Sequence, residues 1–149
     1  MKDESGNNKV LDGGGIHHIA IKAADFDASV KFYREVLGFA PVLAWGEGDG
    51  RGAMLDTGRG DCIEVFAGGA AGERPEGAWL HLALKCEDVD GVLKKVRAAG
   101  CPVTMEPTDI TIAAIPPLDI RIAFFKGPDG EILELFHERG GINSMGKGV

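Results

Sequence analysis

Four residues of this chain have side chains suited to holding a divalent metal ion: His18, Glu64, His81 and Glu134. Two imidazole nitrogens and two carboxylate oxygens match the preferences of an ion such as Zn, Ni, Co or Mn. In an octahedral shell, four protein ligands leave two positions for water or a substrate. A single glutamate on the open face of a strand is usually just solvated, and a single strand histidine is usually structural. What sets these four apart is a repeat. Placing IHHIAIKAADFDASVKFYR (16–34) over WLHLALKCEDVDGVLKKVR (79–97) without gaps sets His18 on His81, Asp25 on Asp88 and Arg34 on Arg97. Placing AMLDTGRGDCIEVF (53–66) over AFFKGPDGEILELF (123–136) sets Glu64 on Glu134 and Phe66 on Phe136. The spacing between the matched blocks differs, so the second half carries a net insertion within 101–122.

The elements that must position these residues read alike in both halves. An apolar strand, 16–22 or 79–86, leads to an aspartate, Asp25 or Asp88, whose carboxylate can cap a helix. Phe26, Val30, Tyr33 and Leu37 form the apolar stripe of the first helix; Val89, Val92, Leu93 and Val96 form that of the second. Gly38 and Gly100 stand where a left-handed C-cap is needed. Three strands follow, near 39–45, 52–57 and 61–67, and again near 101–106, 119–126 and 131–137. Thr57-Gly58-Arg59-Gly60 and Gly127-Pro128-Asp129-Gly130 read as matching turns. The expected architecture is α+β: two tandem βαβββ units forming a cup of mostly antiparallel sheet. The expected bounds are a flexible leader 1–15, a first unit 16–67, a linker loop 68–78, a second unit 79–137 and a flexible tail 138–149, together one structural domain. Residues 107–120, PTDITIAAIPPLDI, read either as a lid or as a β-hairpin within the second unit.

Side chains alternate across a strand, so parity assigns faces. One face carries Ile19, Ile21, Ile63, Val65, Leu82, Leu84, Leu133 and Leu135 and is expected to pack beneath the helices. The other carries the four candidate ligands with Lys22, Phe66, Trp79, Lys85 and Phe136, a mixture suited to lining a substrate pocket. His17 shares parity with the aliphatic face and matches Leu80, so it reads as a half-buried structural histidine. His137 likewise falls outside the ligand set.

Composition narrows the function classes. The chain has 149 residues and a formal net charge of −7, which gives no electrostatic footprint for nucleic acid or an anionic membrane. No apolar run approaches the length that spans a bilayer, and the polar start lacks a signal peptide's apolar stretch. Cys62, Cys86 and Cys101 have no metal-site spacing and read as reduced thiols of a cytoplasmic protein. Glycine, at 23 of 149 residues, is about twice the usual ~7% without a collagen period, so it marks turns and loops.

The strings HHIAIKAADFDASVKFYREVLGF, DCIEVF, HLALKCEDVDGVLKKVRAAGCPV and FFKGPDGEILELF resemble the vicinal oxygen chelate superfamily, which includes glyoxalase I, methylmalonyl-CoA epimerase and bleomycin-binding proteins. The pattern is most similar to the short bacterial glyoxalase I. The resemblance implies a cup around one divalent metal, with His18, Glu64, His81 and Glu134 as ligands. It also implies Glu134 as the catalytic base and Glu64 as its partner carboxylate. The implied activity is a metal-dependent isomerase or lyase of the lactoylglutathione lyase type, working through a chelated enediolate on a small-molecule substrate, in a homodimer. Lys22 stands where those enzymes carry an arginine for the glutathione carboxylate; it keeps the charge without the two-pronged fork. An epimerase acting beside a thioester and a non-catalytic small-molecule binding protein are the alternatives.

Overall fold

The computed structural model describes residues 4, 6, 16–75, 77, 79–113 and 117–139. Most of the expected leader and tail lies outside the described residues. Two four-stranded sheets are built from the two halves of the chain. The first contains β1 (His18–Lys22), β2 (Ala40–Trp45), β3 (Gly52–Asp56) and β4 (Cys62–Phe66) in the order β1-β4-β3-β2. The second contains β5 (Leu82–Lys85), β6 (Val103–Ile112), β7 (Leu118–Lys126) and β8 (Ile132–Glu138) in the order β5-β8-β7-β6. In each sheet the first strand pairs parallel to the last, and the other pairings are antiparallel. The repeat read in the sequence is therefore a repeat of topology.

The local reasons match the expected ones. Helix α1 (Phe26–Lys31) starts where Asp25 Oδ1 accepts a hydrogen bond from the Ala28 amide at 2.9 Å. Helix α2 (Val89–Ala98) starts in the same way, with Asp88 Oδ1 accepting from Gly91 N at 2.9 Å. Each cap satisfies one of the amides that a helix N-terminus leaves without an internal partner. Gly38 and Gly100 close the helical segments at φ +75° and +83°, a region costly for residues with a Cβ. The two turns also form, with Thr57 N donating to Asp61 O at 2.9 Å and Gly127 N donating to Glu131 O at 2.8 Å.

Three differences from the expected elements have physical causes. Helix α1 passes into a π-helical turn, Phe32–Val36, in which Leu37 N reaches back to Phe32 O. The wider turn brings Phe32 and Tyr33 inward together, so Phe32 is buried although an ideal α-helical stripe omits it. Strand β5 is shorter than 79–86 and begins at Leu82. Its partner β8 begins only at Ile132, so Trp79 and Leu80 run past the end of the ladder and lie exposed. The inserted residues of the second half extend β6 and β7, which remain paired as far as Ile112 and Leu118. Residues 108–112 and 118–120 therefore lie in paired antiparallel strands, and residues 114–116 lie outside the described residues.

The aliphatic faces of both sheets and both helices meet in one core. It includes Phe32, Tyr33, Leu55, Ile63 and Val65 of the first half with Val89, Leu93, Phe125, Leu133 and Leu135 of the second. Burying each such side chain contributes roughly 1.5–3 kcal/mol. The units are also joined by polar contacts. Asp129, in the β7–β8 turn, is buried and accepts from Ala24 N at 2.8 Å and from Ser29 Oγ at 2.5 Å. The Tyr33 hydroxyl donates to Glu131 at 2.5 Å, and the Glu131 carboxylate accepts in turn from Asp129 N at 2.7 Å. Arg74 spans the junction, donating to Asp129 O at 2.9 Å and to Lys22 O. Burial and the neighbouring Glu131 carboxylate hold the Tyr33 hydroxyl well above its ordinary range.

Candidate metal and catalytic site

The two parallel ladders set the site residues in register. Ala20 lies opposite Glu64 and Lys22 opposite Phe66; in the second sheet Ala83 lies opposite Glu134 and Lys85 opposite Phe136. The core sides of the same ladders pair Ile19 with Ile63, Ile21 with Val65, Leu82 with Leu133 and Leu84 with Leu135. Parity thus separates ligand face from core face as the alternation predicts.

On the ligand face each histidine meets the glutamate of its own half. His18 Nε2 lies 3.4 Å from Glu64 Oε2, and His81 Nε2 lies 3.1 Å from Glu134 Oε2. The same ring nitrogen and the same carboxylate oxygen converge in both halves, so the repeat extends to atoms. The carboxylates are well covered, with side-chain exposures of 14% for Glu64 and 7% for Glu134, whereas each histidine is 39% exposed. Burial pushes the Glu134 carboxyl above its ordinary range, and the nearby His81 partly opposes that shift.

Phe124 explains part of the cover over Glu134. It lies opposite Glu134 in the β7–β8 ladder and meets the His81 ring edge-on, with centroids 5.3 Å apart. Phe136, Phe124 and Met105 pack against a second apolar cluster of Leu118, Ile120 and Ile122. In the first half Phe66 meets Trp45 edge-on at 5.8 Å. Lys22 and Lys85 are exposed at the ends of β1 and β5. Trp79 is 91% exposed and borders a cleft of about 760 Å³ that also touches Ile19, Ile21, Leu80, His81 and Arg74.

Within one chain these residues form two pairs rather than one quartet: among the described residues, no group of three or more His, Cys, Asp or Glu side chains is gathered closely enough to hold an ion. The aliphatic faces of both sheets share one core, and the candidate residues alternate with those aliphatic side chains along the strands.

His17 departs from its expected role. It is exposed, and its Nδ1 lies 2.8 Å from His18 Nδ1, within hydrogen-bonding distance. It lies just before β1, which begins at His18. His137 pairs with Glu87 at 3.5 Å, outside the ligand pairs. The cysteines are free thiols, each held above its ordinary range chiefly by burial. The polar junction around Asp129 was not legible in the sequence, because its partners Ala24 and Ser29 lie about a hundred residues away in the chain.

Comparison with known proteins bears on the family and the fold. The family model for the Glyoxalase/Bleomycin resistance protein/Dioxygenase superfamily matches residues 15–135. The chain is 33% identical over 130 residues to the uncharacterized protein YaeR of Escherichia coli, covering 83% of this chain and 95% of that protein. It is 28% identical over 130 residues to a probable lactoylglutathione lyase of Vibrio cholerae, covering 83% and 91%. Among solved structures, the trypanothione-dependent glyoxalase I of Leishmania major superposes with a TM-score of 0.66 at 24% identity, covering 89% of this chain and 92% of that one.

Proposed function

Because the chain belongs to the Glyoxalase/Bleomycin resistance protein/Dioxygenase superfamily, we propose that it is a metal-dependent isomerase or lyase of the glyoxalase I type. The observation that carries this reading is the matched pairing of His18 with Glu64 and of His81 with Glu134, Nε2 to Oε2 in both halves. The donor set fits one divalent transition ion, with Ni, Co, Zn and Mn as candidates. Each pair supplies half of a four-ligand shell, so the His18–Glu64 pair of one chain would be completed by the His81–Glu134 pair of a second copy in a homodimer. When bound, the ion supplies Lewis acidity to neighbouring oxygens of a substrate.

The side chains divide the remaining work. Glu134 removes a proton from the carbon next to a carbonyl and returns it to the adjacent carbon. Burial holds its carboxyl above the ordinary range, with His81 partly opposing, and a positioned carboxylate can both accept and return a proton. Glu64, also covered, serves as the partner carboxylate. Phe124, Phe136 and Met105 make the surroundings of Glu134 apolar and limit water around the reacting carbons. Lys22 and Lys85 offer two exposed cations for an anionic part of the substrate. With a hemithioacetal of a 2-oxoaldehyde, the product is a 2-hydroxyacyl thioester. The similarity to a probable lactoylglutathione lyase of Vibrio cholerae supports this substrate class.

The test is turnover of methylglyoxal with glutathione by protein loaded in turn with Ni, Co, Zn or Mn. Glu134→Gln should lower kcat by about 10²–10⁴-fold at saturating metal, with metal content measured alongside because the same carboxylate is assigned as a ligand. Full turnover by that variant would remove Glu134 from the base role, and silence with every metal would overturn the glyoxalase reading. A monomer by sizing at micromolar concentration would exclude the shared site.

A further inference from the structure

The two ligand pairs match atom for atom, but their surroundings do not. His81 is flanked by the Phe124 ring, with an interplanar angle of 83°. His18 is flanked by His17, whose ring stands edge-on at 5.1 Å and whose Nδ1 lies 2.8 Å from His18 Nδ1. The residue matched to His17 in the second half is Leu80, which has no ring nitrogen. The backbone of His17 is held in place, since its carbonyl accepts from Cys62 N at 2.8 Å at the start of β4.

A neutral imidazole carries one proton. If Nε2 of His18 is to give its lone pair to an ion beside Glu64 Oε2, the proton must sit on Nδ1, and that N–H needs an acceptor. In metal sites the second nitrogen of a ligating histidine nearly always donates in this way, which fixes both tautomer and ring orientation. We propose that His17 is a positioning residue: its Nδ1 accepts the Nδ1–H of His18 and thereby turns Nε2 of His18, lone pair first, toward the ion shared with Glu64. This inference rests on the reading that His18 and Glu64 hold the ion. His17 itself touches neither ion nor substrate. Its carrier nitrogen suits the role because the neutral ring can leave Nδ1 unprotonated and keep its own proton on Nε2.

The experiment compares His17→Leu, which removes the acceptor, with His17→Asn, whose side-chain oxygen restores one near the Nδ1 position. Zinc affinity is measured on the full chain by competition with a chromophoric chelator, without substrate. His17→Leu should bind zinc about 10–100-fold more weakly than the unsubstituted protein, and His17→Asn within about threefold of it, by the usual effect of losing an outer partner of a ligand. The urea midpoints of all three metal-free proteins should coincide. Zinc binding by His17→Leu as tight as in the unsubstituted protein, or by His17→Asn as weak as in His17→Leu, overturns the proposal while leaving the metal site standing. If the unsubstituted protein binds no zinc, nickel, cobalt or manganese, both the site and the role of His17 fall. Should His17→Leu not fold, nitrogen-15 spectra of the zinc-loaded unsubstituted protein decide the matter. A neutral His17 with its proton on Nε2 and a bare Nδ1 facing the Nδ1–H of His18 supports the role, and a proton on Nδ1 of His17 overturns it.

Discussion

Asp129→Ala tests whether the polar contact between the units carries the weight its geometry implies. The aspartate accepts from Ser29 Oγ at 2.5 Å and Ala24 N at 2.8 Å, and Ser29 is completely buried. Hydrogen bonds to a charged group are worth roughly 1.5–3 kcal/mol each. Water can replace the aspartate at exposed Ala24 but not at Ser29, so the sum is about 2–4 kcal/mol. A chain of this size loses about 2–4 °C in Tm per kcal/mol, which places the expected drop at roughly 5–15 °C. Urea unfolding measures the cost directly, through a lower midpoint at unchanged slope. Asp27→Ala provides a surface control. That side chain is 79% exposed and pairs with Arg51 at 3.0 Å, so its loss should cost no more than about 1 kcal/mol. A cost below about 1 kcal/mol for Asp129→Ala would refute the reasoning. So would an undiminished cost in a Ser29→Ala background, since the two side chains share one hydrogen bond and their effects should not add.

Two further outcomes follow from the same contacts. Burial raises the Glu131 carboxyl above its ordinary range, so the folded chain holds that proton to higher pH than the unfolded chain does. Its contribution to stability is therefore greatest in acid and is lost as pH rises through its folded range; the Glu131→Gln variant should lack this part of the stability–pH profile, and superimposable profile shapes would contradict the assignment. Gly100→Ala places a Cβ at φ +83° in open space, so backbone conformation alone should cost about 1 kcal/mol, and no change in the urea midpoint would show that this helix end relaxes.

The sequence alone determined the repeat, the strand faces and the helix caps, because these depend on local periodicity and on residue types at turns. Ile63 and Leu133 on one face and Glu64 and Glu134 on the other follow from alternation alone. Tertiary structure decided the rest. The π-helical turn, in which Phe32 and Tyr33 are both buried, departs from the ideal helical stripe, and no local pattern announces it. The contact of Asp129 with Ser29 joins residues far apart in the chain, which the periodicity of either segment cannot pair. His17 is exposed rather than half-buried, with its ring against His18, a side-chain contact that parity does not specify. Most consequentially, symmetry of sequence placed four candidate ligands at equivalent positions, and the tertiary structure sets them in two His–Glu pairs, one in each half of the chain.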